Sequence, residues 1–398
     1  MNPSGRFEAL DAWRGVAATM VVAYHFSFLS HFHQISFLAS GYLLVDFFFV
    51  LSGFVIAHAY AGRLRTPVAA LGFMVRRFGR LWPLHAAMLA LFVVGEGANH
   101  LFFALSGQAD AFRPSTNDNT PYSILTNLLL IQAFGLHNSL TWNGASWSIS
   151  AEFYAYAAFC AVFLALRRAW ALTAAALALL GGAVVFRHSA HVPLMDAHFD
   201  LGFFRCLFGF FVGVLTHGAY AARRASGRGL ANAGFWELAA IAGAVAFMAA
   251  LGQTDASILA PLVFAPAVFI YAFEGGTVSR LLRLRPFMAL GAWSYSIYMT
   301  QAFVARSVER LVKFADHAFA GIGLQKAAIG EHVVLTTQSP NSLFLMDGLD
   351  CLVLAAVLLA SWATYSWIET PGRRYFNRLA GRIEAGQTRA AVLAQGAA

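Results

Sequence analysis

An arginine and a histidine stand on one otherwise apolar stretch, Leu10 to His25, reading LDAWRGVAATMVVAYH. At about 100° and 1.5 Å per residue, their spacing returns Arg14 and His25 to within about 20° of one helix face, about 16 Å apart. On a membrane-spanning helix this puts Arg14 near one end and His25 near the bilayer centre. An ionisable side chain at that depth is costly, so it should face the protein interior and marks a functional site by default. Two carboxylates are expected at comparable depth, Asp46 in VDFFFVLSGF and Glu152 in WSISAEFYAY. The economical reading is one polar cavity holding all three groups. A carboxylate raises an imidazole pKa and burial lowers it; together they hold the ring near neutrality, where a general base works best. The same set would also suit a buried structural network, or the proton relay of a proton-coupled transporter.

A second constellation joins Arg14 to Arg76, Arg77 and Arg80 of RRFGRLWPLH. Juxtamembrane arginines commonly anchor topology or meet anionic lipid head groups. Arginine is equally suited to bidentate phosphate binding, and a phosphorylated cytosolic ligand with a long thin arm would fit such a mouth. The histidines His31, His33, His188, His191 and His198 fall in expected outer loops, without Cys or carboxylates at ligand spacing, so no metal site is expected. Ser52 could serve as a covalent carrier of a transferred group, but Gly53 beside it fits close helix packing, and Ser52 is read as a helix-contact residue.

The elements that must position these groups follow from composition. Of 398 residues 59% are hydrophobic and 12% charged, and apolar runs of spanning length recur along the chain, so the expected class is an all-α polytopic membrane protein. Lys and Arg number 27 against 19 Asp and Glu, yet the basic residues gather in short interhelical stretches, where they orient helices rather than bind nucleic acid. About ten spans are expected, at 12–29, 41–60, 81–106, 147–166, 168–186, 199–222, 234–251, 257–273, 287–310 and 347–369. The apolar stretch Tyr122 to Leu136 is short for a span. Counting it as one scatters the arginines over both sides, so it is read as a re-entrant or interfacial segment, which leaves both termini cytoplasmic. The first apolar segment has no convincing small-residue cleavage site and is expected to be retained. Cys160, Cys206 and Cys351 lie in apolar runs and suggest no disulfide framework. Residues 1–382 read as one domain, with 383–398 as a flexible cytoplasmic tail.

In order along the chain, LDAWRGVAATMVVAYH, VDFFFVLSGFVI, RRFGRLWPLH, WSISAEFYAY, LGAWSYSIYMTQ and WIETPGRRYF resemble the landmarks of the acyltransferase-3 family. These integral membrane proteins move acyl groups, commonly acetyl from acetyl-CoA, onto carbohydrate hydroxyls. The resemblance covers nearly the whole chain and implies His25 as the catalytic histidine, with Arg14 its partner along the helix. It implies Arg77 and Arg80 at the acyl-CoA end, and Asp46 and Glu152 as site residues without fixed roles. It further implies acetyl-CoA as donor, a carbohydrate acceptor and a bacterial inner-membrane location. Direct transfer and an acyl-enzyme route stay open. Two features depart from the pattern. Gln301 stands where many members have a histidine, and glutamine cannot act as a base. The outer loop from about Leu311 to Leu345 is long, and holds Lys313, Asp316, His317, Lys326, Glu331 and His332. Some relatives carry a hydrolase-like domain after the last helix; none is expected in the short stretch after Arg382.

Overall fold

A computed structural model describes residues 6–106, 116–191, 193–318, 323–329, 332–337 and 342–396, and helix dominates them. In chain order come α1 (Glu8–Tyr24), α2 (Ser36–Ala39), α3 (Leu44–Tyr60), α4 (Pro67–Leu105) and α5 (Pro121–Leu128). Then follow α6 (Trp147–Ala165), α7 (Trp170–His188), α8 (Gly202–Ala225), α9 (Ala233–Leu251) and α10 (Ala260–Tyr271). The chain continues with α11 (Thr277–Leu282), α12 (Arg285–Ala318), a hairpin of β1 (Gln325–Ile329) and β2 (His332–Thr336), α13 (Ser342–Thr364) and α14 (Thr370–Gly396). Among the described residues seven helices, α3, α4, α6, α7, α8, α9 and α13, are long and apolar enough to cross a membrane. This is an all-α polytopic membrane protein. The stretch expected to be re-entrant or interfacial forms only the eight-residue α5, about 12 Å long and too short to cross as a helix.

The described residues divide into two compact units. The first comprises Met1–Phe48, Ala190–Asp196 and Arg223–Ala363. Here α1 lies directly on α12, because glycine faces glycine: a Cβ on Gly15 would sit 2.3 Å from the Gly291 nitrogen, and one on Gly291 would sit 2.4 Å from the Asp11 carbonyl oxygen. The start of α1 is capped from a distant loop, with the Ala9 amide donating to Glu274 Oε1 at 2.8 Å, which satisfies one of the orphan donors of a helix N-terminus. The buried Glu237 of α9 does the same for α11, accepting from the amides of Gly276 and Ser279 at 2.8 and 3.0 Å.

The described part of the long loop expected at 311–345 is largely regular structure. α12 runs on to Ala318, which places Lys313, Asp316 and His317 on a helix, and β1 and β2 pair antiparallel with Lys326 opposite Leu335. His332 begins β2, and Glu331 lies outside the described residues. The hairpin also takes in the chain that follows α1. Phe28 bridges Leu335 in parallel, Leu29 N donates to the Leu335 carbonyl and Leu335 N to that of Ser27, both at 2.8 Å. Phe26, Phe28, Leu335, Met346 and Val353 form one apolar cluster over these bonds.

The second unit comprises Phe49–Ser189, Ala197–Ala222 and Thr364–Ala398. α3 crosses α8 through a second glycine pair, since a Cβ on Gly53 would fall 1.8 Å from the Phe210 carbonyl oxygen and one on Gly213 would fall 1.9 Å from that of Val50. This is the close packing expected at Gly53. α4 starts at a Thr-Pro cap, with Thr66 Oγ1 accepting from Ala69 N at 3.2 Å, and runs 39 residues. α14 packs along it, with the Phe376 side chain over Gly79 and Gly372 against Pro83. The helix that contains residues 383–396 is continuous with the part before it. A π-helical turn, Tyr365–Glu369, delivers α13 into α14.

Candidate active site

Within the first unit, α1 carries Arg14 and brings the chain to His25. Arg14 Nε donates to Ser294 Oγ at 2.9 Å, and its Nη2 lies 3.3 Å from Asp11 Oδ1. The guanidinium is thus fixed on α12, three residues from the Gly15–Gly291 contact, and the fixation is electrostatic as well as steric. Arg14 and His25 do not meet; the helix keeps them about 16 Å apart.

His25 differs from its expected placement. The span anticipated at 12–29 ends as a helix at Tyr24, and His25 is its C-cap. The reason lies in the residues that follow, whose backbone groups bond to β2 instead of continuing the helix ladder. The histidine is exposed, with its ring edge-on to Tyr24 at 4.8 Å between centroids. Its Nδ1 is 2.8 Å from the Val21 carbonyl oxygen. A carbonyl only accepts, so Nδ1 carries the hydrogen and the neutral ring has its lone pair on Nε2.

Asp46 is fully buried in the first turn of α3. The residues just before that turn pack on the end of α1: the Tyr24 and Tyr42 rings lie 6.2 Å apart, and Gly41 sits under the Tyr24 side chain. Asp46 therefore starts one helical turn from the contact that flanks His25. Gln301, on α12, is buried. Its Nε2 donates to the Tyr298 carbonyl at 3.2 Å, while its Oε1 meets no donor among the described residues.

The second unit gathers the other candidates around Tyr156. Tyr156 Oη donates to Glu152 Oε1 at 2.7 Å and lies 3.2 Å from Ser52 Oγ. Glu152 and Tyr156 are four residues apart on α6, hence on one face. The Arg77 guanidinium lies 5.9 Å from the Tyr156 ring centroid, and 5.8 Å from those of Tyr60 and Phe73. Its Nε has no hydrogen-bond partner among the described residues. A cation packed on aromatic faces thus keeps some donor capacity to spare.

Arg76 and Arg80 are held differently. Arg80 forms an ion pair with the fully buried Glu369, and Arg76 with Glu384 at 2.5 Å. The three arginines, expected at a cytoplasmic mouth, lie nine to thirteen residues into α4. The Thr66–Pro67 cap starts the helix ahead of them, and carboxylates of the C-terminal segment neutralise two of them. Sequence reasoning did not single out Tyr156, Glu369 or Ser294. The first was legible as the i+4 neighbour of Glu152, and the second as an acidic residue in an apolar run; nothing local announced Ser294. Arg205, on α8, is fully buried, with its guanidinium 5.2 Å from the Trp147 ring centroid and Nη1 donating to the Ala197 carbonyl at 3.2 Å.

Comparison with known proteins places this geometry. The chain is 36% identical over 154 residues to "Protein 2 in picA locus" of Rhizobium radiobacter, covering 37% of this chain and 75% of that protein. It is 30% identical over 159 residues to the peptidoglycan O-acetyltransferase OatA of Listeria monocytogenes, covering 39% of this chain and 24% of that protein. The match thus spans about a quarter of the Listeria protein's length. No solved structure matches. The family model for the acyltransferase-3 "Acyltransferase domain" matches residues 7–368, so the chain belongs to the acyltransferase-3 family and is a multi-pass membrane acyltransferase.

Proposed function

We propose that the protein moves an acyl group, acetyl in the first instance, from cytoplasmic acyl-CoA to a hydroxyl of a carbohydrate acceptor. The observation that carries the reading is the tautomer of His25. An exposed imidazole whose Nδ1–H is committed to the Val21 carbonyl offers Nε2 as a base at a place a substrate can reach. Nε2 takes the proton of the acceptor hydroxyl as its oxygen attacks the thioester carbonyl; the carbon–sulfur bond breaks, and the CoA thiolate leaves and is protonated. A carboxylate steadies the imidazolium, in the manner of the acid in a serine-protease triad, and Asp46 of the same unit is assigned that part. Arg77 and Arg80 take the phosphates of the donor. The acetyl group and the glycan acceptor are supported by the name of the Listeria relative, a peptidoglycan O-acetyltransferase. The arginine distribution supports the donor on the cytoplasmic side, and the bacterial origin of both relatives supports a bacterial cytoplasmic membrane.

The test follows radiolabelled acetyl-CoA into glycan in membranes holding wild type or His25→Ala at matched levels. Base-labile label on carbohydrate, lost in the variant, is the expected result. Equal label in both removes His25 from the reaction. No label from either, with several acyl-CoAs tried, turns the reading to a proton-coupled transporter.

A further inference from the structure

The roles assigned above leave one polar cavity of the second unit unused. It measures about 500 Å³ and is lined by Tyr60, Arg63, Leu64, Ala69, Arg76 and Glu384, a volume within the range of small-molecule sites. It forms where α3 ends and α4 begins, among the arginines of the 61–66 turn. Glu384 engages the planar fork of Arg76 with both oxygens, Oε1 to Nη2 at 2.5 Å and Oε2 to Nη1 at 3.2 Å. That is also the geometry of an arginine–phosphate contact. The Glu384 side chain is 38% exposed, so its ion pair is weakly held and exchangeable. Arg76 also lies 5.9 Å from the Tyr60 ring centroid, and Leu64 and Ala69 supply apolar wall. Two cations, an aromatic face and apolar contact suit a ligand that is both phosphorylated and aromatic.

We propose that this cavity takes the phosphorylated adenosine end of the acyl-CoA donor, and that Glu384 is the carboxylate a phosphate displaces from Arg76. The assignment rests on the acyl-CoA reading given above. It adds Tyr60, Arg63 and Arg76 as the nucleotide subsite, upstream of Arg77. Tyr60 joins the two parts, because the Arg77 guanidinium lies 5.8 Å from the same ring. From Arg77 the contacts run to Tyr156 and on to Glu152, so one unbroken series of rings and charges leads from the cavity to that half-buried carboxylate.

The experiment uses the full chain purified in detergent, with adenosine 3′,5′-bisphosphate as the binding probe and acetyl-CoA and acetyl-pantetheine as donors. Arg63→Gln and Arg76→Gln should each weaken bisphosphate binding and raise the KM for acetyl-CoA about tenfold or more, leaving the KM for acetyl-pantetheine unchanged. Glu384→Gln should tighten bisphosphate binding several-fold. Arg63 is exposed, so its variant should fold even if that at Arg76 does not. Acetyl-CoA turnover with unchanged KM in Arg63→Gln and Glu384→Gln overturns the subsite and leaves the donor reading intact. Inorganic phosphate or phosphatidylglycerol micelles competing as well as the bisphosphate would make the cavity a general phosphate or head-group site and overturn the nucleotide assignment. A wild type that uses neither donor overturns the donor reading and the subsite with it.

Discussion

His25 of the first unit and the candidates of the second are held in opposite ways. In the first, His25 lies just past a helix end, exposed, and its position depends on a short extended segment bonded to β2. In the second, Glu152, Arg77 and Arg80 sit in helix interiors, pinned by a tyrosine hydroxyl, aromatic faces and a buried carboxylate. A side chain at a helix end can be displaced at small cost, because few buried contacts oppose it. One inside a helix cannot move without exposing or orphaning its partners. A proton-transfer group that must meet an incoming hydroxyl fits the first arrangement, and fixed charge that must wait preorganised for an anion fits the second. Replacing His25 should therefore appear in rate, and breaking the Arg80–Glu369 pair in stability.

The sharpest form of that contrast is His25→Ala. Loss of a general base lowers turnover about 10²- to 10⁴-fold, and because the ring is exposed the melting temperature in detergent should hardly change. Retained turnover would remove the base role; a collapsed fold would erase the distinction between the units. Next in size is Arg80→Ala, which leaves the buried Glu369 without its guanidinium. Breaking such a pair costs about 3–5 kcal/mol, read as a loss of thermal stability. Arg80→Ala combined with Glu369→Gln should recover most of it, and a single variant as stable as wild type would break the comparison on the side of the second unit.

A smaller effect tests how His25 is held. His31 N donates to Asp347 Oδ1 at 2.9 Å, and the His31 ring meets Asp347 Oδ2 at 2.6 Å, tying the segment after His25 to the start of α13. Both side chains are partly exposed, so Asp347→Ala should cost under about 1 kcal/mol of stability. The segment it releases carries the base, so kcat should fall several-fold while the KM for the acyl donor stays put. An unchanged kcat would show that the β2 contacts alone suffice.

The sequence spoke clearly where the signal was local. Runs such as VDFFFVLSGFVI give spans by hydropathy, Gly53 gives a close crossing, and the eleven-residue interval puts Arg14 and His25 at the two ends of one helical path. It spoke poorly where a partner is remote. The extended pairing of Phe28 with Leu335 joins residues more than three hundred apart, and no local pattern in AYHFSFLS cancels the apolar run that argues for more helix. The arginines of RRFGR looked like a boundary because charge interrupts hydropathy. Thr66–Pro67, ten residues earlier, was the real start signal, and the neutralising Glu369 and Glu384 lie about three hundred residues away. The landmark WIETPGRRYF was visible as a motif, while the use of its glutamate as the Arg80 partner was not.

The finest test of the comparison is Tyr156→Phe. The hydroxyl donates to Glu152 at 2.7 Å and lies 3.2 Å from Ser52 Oγ, whereas the ring stays to face Arg77. Removing the oxygen should cost about 1 kcal/mol of stability, the net worth of a hydrogen bond with some penalty for the acceptor left behind. Ser52→Ala, which removes only the longer contact, should cost less. If Glu152 serves the second unit as a fixed charge, kcat/KM should fall less than about tenfold, and the loss should track the loss of stability. A Tyr156→Phe protein that melts normally yet turns over a hundredfold more slowly would mean that the hydroxyl sets the state of Glu152 during the reaction. Proton chemistry would then lie in the helix interior as well as at the helix end, and the division of labour between the units would fail.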